Sequence, residues 1–247
     1  MSFVVPAHDE ELLLPRTLRA LREAATDVSH EIVVADDAST DRTAALAEEA
    51  GARVVRIDAR RIAAARNAGA RAARGDVFVF VDADTVVPPA TLAAALAAID
   101  SGAAGGGAAV AFDGEIPRYA RVGIAILNPL FRWIRASGGC FVYARRDAYE
   151  RAGGWDESLL MSEEMTMCRA LRRQGRFVVL RETVITSGRK LRTYRMRELL
   201  GTLFRIATRG KRGRNDRSLA DLWYAPRRPD PAGVPDLAAR LDGDWRA

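Results

Sequence analysis

The chain has 247 residues with 38 basic and 32 acidic side chains, a formal charge of +6 with both histidines neutral. Hydrophobic residues make up 49% and charged residues 28%, which excludes a disordered, collagen-like or disulfide-scaffold chain. No run of about 18 apolar residues occurs, so no membrane-spanning helix is expected. Cys140 and Cys168 show no metal-ligand spacing and read as small buried apolar residues in a reducing, cytoplasmic compartment. The opening MSFVVPAHDEE has neither a basic n-region nor a long apolar stretch, so no secretory leader is expected.

Residues 2–6 (SFVVP) form a short apolar run that predicts a buried strand. His8-Asp9-Glu10-Glu11 follows as a polar turn, and residues 12–24 then carry apolar side chains at helical spacing. Residues 31–35 (EIVVA) predict a second strand, running into the turn and cap cluster Asp36-Asp37-Ala38-Ser39-Thr40-Asp41. A helix over 43–50 closes at Gly51. A third strand covers 52–57, and an alanine-rich helix over 61–74 stops at Gly75. The run VFVFV (77–81) is a fourth strand, ending at Asp82-Ala83-Asp84. This alternation predicts a parallel α/β sheet. The continuously apolar strands imply helices on both faces. Ligands of such sheets bind beyond the carboxyl ends of the strands, where 8–11, 36–41 and 82–84 converge.

The later part reads less regularly. A helix over 90–99 precedes a glycine-rich stretch at 102–107, which is expected to be a loop without a phosphate role. Residues 118–135 are mostly apolar with arginines near both ends, and Asn128-Pro129 should break or kink that stretch. Gly138-Gly139-Cys140-Phe141 reads as a loop entering a strand, and Gly153-Gly154-Trp155-Asp156 as a turn. Ser162-Glu163-Glu164 starts a helix reaching about 173, followed by a strand over 177–180. Between Arg189 and Arg217 stand eleven basic and two acidic residues, enough to suggest an anionic partner. Within that segment 193–208 predicts a basic amphipathic helix. It packs on its own domain or lies on an anionic membrane surface. A proline-rich tail occupies 226–235.

Four groups carry chemistry. Asp82 and Asp84 set two carboxylates side by side at the ligand edge, where they need a proton, a base or a cation. A hard divalent ion would bridge them to phosphate; the plain alternative is a turn with an N-cap. Asp37 follows a buried strand, and capping does not account for two successive aspartates there. Arg66 in the helix before the fourth strand would bind phosphate or base if directed inward, and would otherwise be a surface residue. Glu163 and Glu164 are ordinary first-turn acids or a general base at the ligand edge.

Six segments then stand in order: VVPAHDEE (4–11), VADDASTDRT (34–43), AARNAGARAARGD (64–76), VFVDADT (79–85), GGCFVYARRDAYERAGGWDES (138–158) and SEEMTMCRALRRQGR (162–176). Together they resemble the family 2 glycosyltransferases of the GT-A fold. The resemblance implies a Rossmann-like, mostly parallel sheet over 1–190, with 191–247 as a basic helical extension and tail. It implies inverting transfer of a sugar from a UDP- or GDP-type donor to an acceptor hydroxyl, with Mn²⁺ or Mg²⁺ as cofactor. By that resemblance Pro6, Ala7 and Glu10 line the nucleoside pocket, Asp37 bonds the base, and Arg66 holds the base or ribose edge. Asp82 and Asp84 form the DXD motif, Asp84 being the direct metal ligand. Glu164 stands at the position of the family's aspartate base, with Glu163 the second choice. The histidine many members carry after the late strand is absent; Arg189 and Lys190 either hold the diphosphate in its place or simply begin the basic tail. A lipid-linked acceptor and a peripheral place on the inner membrane face fit the basic helix. No nucleic-acid motif is present. A nucleotidyltransferase and a non-catalytic nucleotide-sugar binder are the competing readings.

Overall fold

The computed structural model describes residues 1–199 together with 201, 202, 204, 205, 208, 230 and 231. The first half alternates strand and helix: β1 (Ser2–Ala7), α1 (Leu14–Ala24), β2 (Glu31–Asp37), α2 (Thr43–Glu49), β3 (Arg53–Ile57), α3 (Ile62–Ala72), β4 (Val77–Val81) and α4 (Pro89–Asp100). The second half holds β5 (Gly105–Phe112), α5 (Arg118–Ile134), β6 (Phe141–Arg145), α6 (Arg146–Ala152), α7 (Glu163–Gln174), β7 (Phe177–Thr186) and α8 (Arg189–Thr193).

The strands form one sheet in the order β3-β2-β1-β4-β6-β5-β7. β6 runs antiparallel to both neighbours, while β1, β2, β3 and β4 pair in parallel and β5 pairs in parallel with β7. The period of two splits each buried strand between two cores. Phe3, Val5, Val79 and Val81 pack with Leu14, Leu18, Leu21 and Leu92 on one face. Val4, Val33, Phe78 and Phe80 pack with Ala63, Trp155, Met167 and Leu171 on the other. Both faces are covered, which is why these strands carry no polar alternation.

This geometry places the end of β1, β2, β4 and β7 and the start of antiparallel β6 along one rim. The first two loops of that rim are stapled together. Asp9 N–H donates to Ser39 Oγ, Glu10 N–H to Thr43 Oγ1, and Thr40 N–H to Asp9 Oδ1 at 2.7 Å. Asp41 accepts from Glu11 N–H and Thr43 N–H. Most of the 36–41 polar cluster is therefore loop architecture.

Three expectations need correction. The glycine-rich stretch is not a loop: Gly105, Gly106 and Gly107 open β5. A Cβ on Gly106 would overlap the Val178 carbonyl and the Tyr143 hydroxyl, and one on Gly107 would overlap Ser137 Oγ. The glycines are there for space in a crowded strand. Pro129 does not break its helix, since α5 runs unbroken from Arg118 to Ile134. Ala125, whose carbonyl a proline at 129 leaves unbonded, is exposed, so that acceptor lies where solvent can satisfy it. Asn128 beside it reaches back to β5, its Oδ1 accepting from Val110 N–H and its Nδ2 donating to Val110 O, both at 3.0 Å. The side-chain amide thus stands in for a neighbouring strand where β6 has ended. The late strand is also longer than the expected 177–180, since β7 continues to Thr186.

The expected basic helix over 193–208 begins differently as well. α8 ends at Thr193, and helical backbone resumes at 196, with Arg195 N–H capped by Glu198 at 2.7 Å. The proline-rich tail lies outside the described residues except Asp230 and Pro231. Among the described residues, no helix is long and apolar enough to cross a membrane.

Candidate active site

A cavity of about 300 Å³ opens on the rim. Pro6, Ala7, Glu10, Asp37, Arg66, Asp82, Asp84, Glu163, Glu164 and Arg189, drawn from stretches up to 183 positions apart, all line it. Backbone strain gathers around it. Asp9, Ala38, Arg60 and Ser162 hold positive φ although none is glycine, and each stands in a loop at this rim. Non-glycine residues tolerate that conformation where the surroundings demand it, commonly at functional sites.

Arg66 is the organising charge. Its side chain is 1% exposed, although an arginine is almost never fully buried without partners. Nη1 donates to Glu163 Oε1 at 2.8 Å, and Nη2 donates to Asp82 Oδ1 and Gly139 O, each at 2.8 Å. The guanidinium also lies over the Trp155 ring, 4.4 Å from its centroid. Burial works against its charge, but Asp82 and Glu163 outweigh that and hold its pKa above the ordinary value. Gly139 permits the approach, since a Cβ there would come within 3.2 Å of Arg66 Nη2 and 3.5 Å of Glu164 Cβ. The guanidinium is therefore committed to ordering carboxylates while still lining the cavity.

Those contacts separate the two glutamates. Glu163 is buried and spent on Arg66. Glu164 stands in the first turn of α7 beside it, half-buried and facing the cavity. Burial pushes its carboxyl up to about 7, and the neighbouring Glu163 charge adds to the effect while Arg66 opposes it. A carboxylate tuned near neutrality is matched to moving protons there.

Asp82 follows β4 directly. Burial raises its carboxyl above the usual range; Arg66 lowers it, and the charge of Asp84 adds to the rise. Asp84 Oδ1 accepts from Thr186 Oγ1 at 3.3 Å, and its Oδ2 lies 3.7 Å from Arg189 Nη2. Arg189 binds both oxygens of Glu10, at 2.9 and 3.3 Å. It thus bridges the β1 loop to Asp84 from the far end of the sheet. Among the described residues no group of three or more His, Cys, Asp or Glu could by itself hold a metal. Two carboxylates on a cavity wall still fit a hard divalent ion that takes its remaining oxygens from a diphosphate and water.

Asp37 is occupied by its own chain. Oδ1 accepts from Ala59 N–H and Arg60 N–H at 2.7 and 2.9 Å, and Oδ2 from Arg61 N–H at 2.8 Å. It fixes the loop entering α3, using three of about four acceptor positions. His8 continues the same wall, with Nδ1 2.8 Å from Asp37 O and Nε2 2.6 Å from Arg60 Nη1. Sequence reasoning passed over Arg60, Leu160, Met161 and Ser162 as lining residues. Only the adjacency of the last three to Glu163 could have signalled them. Cys140, expected to be buried, is only half-buried and lines the cavity, whereas Cys168 is buried as expected.

A sequence profile described as "Glycosyl transferase family 2" matches residues 2–164. The chain belongs to that family. An undecaprenyl-phosphate 4-deoxy-4-formamido-L-arabinose transferase of Pseudomonas fluorescens is 37% identical over 112 residues, covering 41% of this chain and 33% of that one. A dolichol-phosphate mannosyltransferase of Pyrococcus furiosus is 32% identical over 107 residues, 41% of this chain and 30% of that one. The chain spans a third or less of the length of these curated relatives. Among solved structures, mannosyltransferase PcManGT from Pyrobaculum calidifontis, in complex with GDP-Man and Mn²⁺, gives a TM-score of 0.64 at 20% identity. The match covers 97% of this chain and 73% of that one. TarS 1–349 from S. aureus, in complex with UDP, gives 0.60 at 21% identity over 75% and 60%. The sheet, its one reversed strand and its rim are the GT-A fold of this family.

Proposed function

We propose that this chain is an inverting glycosyltransferase that moves a sugar from a UDP- or GDP-type donor to an acceptor hydroxyl. One observation carries the reading. Glu164, a carboxylate pushed up to about 7, shares a cavity with the DXD pair and with the rim of β1 and β2. Pro6, Ala7 and Asp37 form the nucleoside side of that cavity, Asp37 through its remaining acceptor position and through the loop it holds. Glu164 takes the proton of the acceptor hydroxyl as its oxygen attacks the anomeric carbon. The bond from that carbon to the β-phosphate oxygen breaks, and the nucleoside diphosphate leaves from the opposite face. Glu163 positions Arg66, and Arg66 in turn positions Asp82. Arg189 is a fixed cation that can exchange Glu10 for diphosphate oxygens.

Asp84, with Asp82, would hold Mn²⁺ or Mg²⁺, which when bound neutralises charge on the leaving diphosphate. Mn²⁺ in the PcManGT complex supports this assignment. The named relatives act on undecaprenyl-phosphate and dolichol-phosphate, which supports a lipid-linked acceptor.

Calorimetric titration with UDP and GDP, with and without Mn²⁺, tests the donor site. Mn²⁺-dependent binding of one of them is expected, and no binding by a folded sample would refute the reading. Glu164→Gln should retain that binding and lose transfer. Transfer at the wild-type rate would remove Glu164 as the base.

A further inference from the structure

The polar site leaves α5 unexplained. Among the described residues nine large hydrophobics are exposed, and six of them belong to this helix. None of its seventeen residues is buried. Tyr119, Val122, Ile126, Leu130 and Trp133 follow the spacing i, i+3, i+7, i+11, i+14, which gathers them within an arc of about 80°. They form one apolar stripe on the solvent side, with Val122 and Ile126 each 61% exposed and Trp133 81% exposed. A soluble helix normally turns such a stripe inward, and here the inward side is anchored by Asn128 on Val110.

The charge around the stripe has one sign. Arg118 and Arg121 stand in the first turn, and Arg132 and Arg135 close the last. Among the described residues none of the four makes an ion pair, while Arg16, Arg42, Arg53 and Arg66 each have a carboxylate partner. No acidic residue occurs from 116 to 146. Aromatic residues near both ends, arginines at both ends and aliphatics between them match the demands of the bilayer interface. Pairing with a second copy of α5 does not satisfy this pattern. Parallel or antiparallel, it sets arginine against arginine with no carboxylate between them.

We propose that α5 lies in the headgroup region of an anionic bilayer, with its stripe in the acyl boundary and its arginines on lipid phosphates. A second basic element springs from the same corner. Arg192 in α8 bonds Asp113, just ahead of α5, and the helical residues beyond it expose Met196 and Phe204. Only five positions separate Ile134, at the end of α5, from Gly139 in the cavity wall. That is at most roughly 18 Å of chain. Docking through α5 therefore holds the site close to the bilayer, where a lipid-borne acceptor would be presented. The docking itself does not depend on the chemistry proposed above.

The test is co-sedimentation of the full chain with phosphatidylcholine vesicles, with and without 30% phosphatidylglycerol, at two salt concentrations. Binding to the anionic vesicles, weakened by salt, is expected. Ile126→Ser/Leu130→Ser and Arg118→Glu/Arg121→Glu should each reduce it at least tenfold while leaving the melting temperature and UDP or GDP binding unchanged. Arg195→Glu/Arg197→Glu should reduce it less. Three outcomes would overturn the proposal: no binding by a folded sample, binding unaffected by the α5 substitutions, or a dimer in sedimentation velocity that Ile126→Ser/Leu130→Ser dissociates. Loss of sugar transfer alone, with vesicle binding intact, would bear on the catalytic reading and not on this one.

Discussion

Glu164→Gln should make the folded protein more stable, and by an amount that depends on pH. The ordinary carboxyl value is 4.5, and in this cavity burial and Glu163 push Glu164 up to about 7. A raised acid binds its proton more tightly when folded than when unfolded. Stability therefore falls as pH rises from about 4.5 to 7, and the loss is complete above that window. The ceiling on that loss is roughly 3 kcal/mol, at ~1.4 kcal/mol per tenfold change in the ionisation constant. Water in the open cavity and relaxation of Glu163 reduce it, so about 1–2 kcal/mol is expected at pH 8. For a chain of this length that is a rise in Tm of roughly 2–8 °C, shrinking to under about 2 °C at pH 4.5. Calorimetric melts of wild type and Glu164→Gln at pH 4.5, 6, 7 and 8 need neither donor nor acceptor. A Tm difference that is flat with pH, or a variant less stable at pH 8, would refute the placement of a neutralisable base at this position.

The same geometry makes three further predictions. Arg66→Met strands Asp82 and Glu163 in a buried setting and should cost about 3–5 kcal/mol; a urea midpoint consistent with less than 1 kcal/mol would contradict the central role of the guanidinium. Asp84→Asn should abolish Mn²⁺-dependent donor binding in calorimetry while shifting Tm little, because among the described residues its carboxylate contacts are two threonine hydroxyls and an arginine 3.7 Å away. Asn128→Ala unpairs both backbone groups of Val110 and should cost about 1–3 kcal/mol in urea unfolding. An unchanged midpoint there would mean that the amide does not substitute for a strand.

The half of the fold that was legible from sequence was the half whose signals are local. Continuous apolar runs such as VFVFV announce strands covered on both faces, and Asp82-Ala83-Asp84 follows one of them directly. Local signals misled where tertiary contacts decided the outcome. Gly105–Gly107 looks like a loop until Tyr143, Ser137 and Val178 are placed against it. Pro129 looks like a break until Ala125, whose carbonyl it leaves unbonded, proves to lie on an exposed part of the helix. The residues that line the cavity were legible as a list but not as a wiring diagram. Arg66 meets Glu163 and Asp82 across 97 and 16 positions, and Asp37 meets residues 59–61 across at least 22. Nothing in composition or spacing says that these polar groups satisfy one another before any ligand arrives.

That prior satisfaction has an electrostatic consequence for the donor. Six carboxylates line the cavity (Glu10, Asp37, Asp82, Asp84, Glu163 and Glu164) against four cations (Arg60, Arg66, Arg189 and Lys190). With His8 neutral and every carboxyl ionised, the formal charge is −2, and the nucleoside diphosphate that would enter is itself an anion. Two like charges about 4 Å apart repel by roughly 4 kcal/mol at the effective dielectric of such a site, so the cavity needs added positive charge before it can take a diphosphate. A divalent ion at Asp84 would supply it in one way, and a proton on Glu164 would supply part of it in another. Metal-free binding of UDP or GDP should therefore strengthen as pH falls from 8 to 6, by up to tenfold as Glu164 takes its proton. Saturating Mn²⁺ should flatten that dependence, and Glu164→Gln should remove it while binding the diphosphate more tightly than wild type at pH 8. Metal-free affinity that is level across this range in wild type would separate Glu164 electrostatically from the diphosphate and place the base farther from the leaving group than this cavity allows.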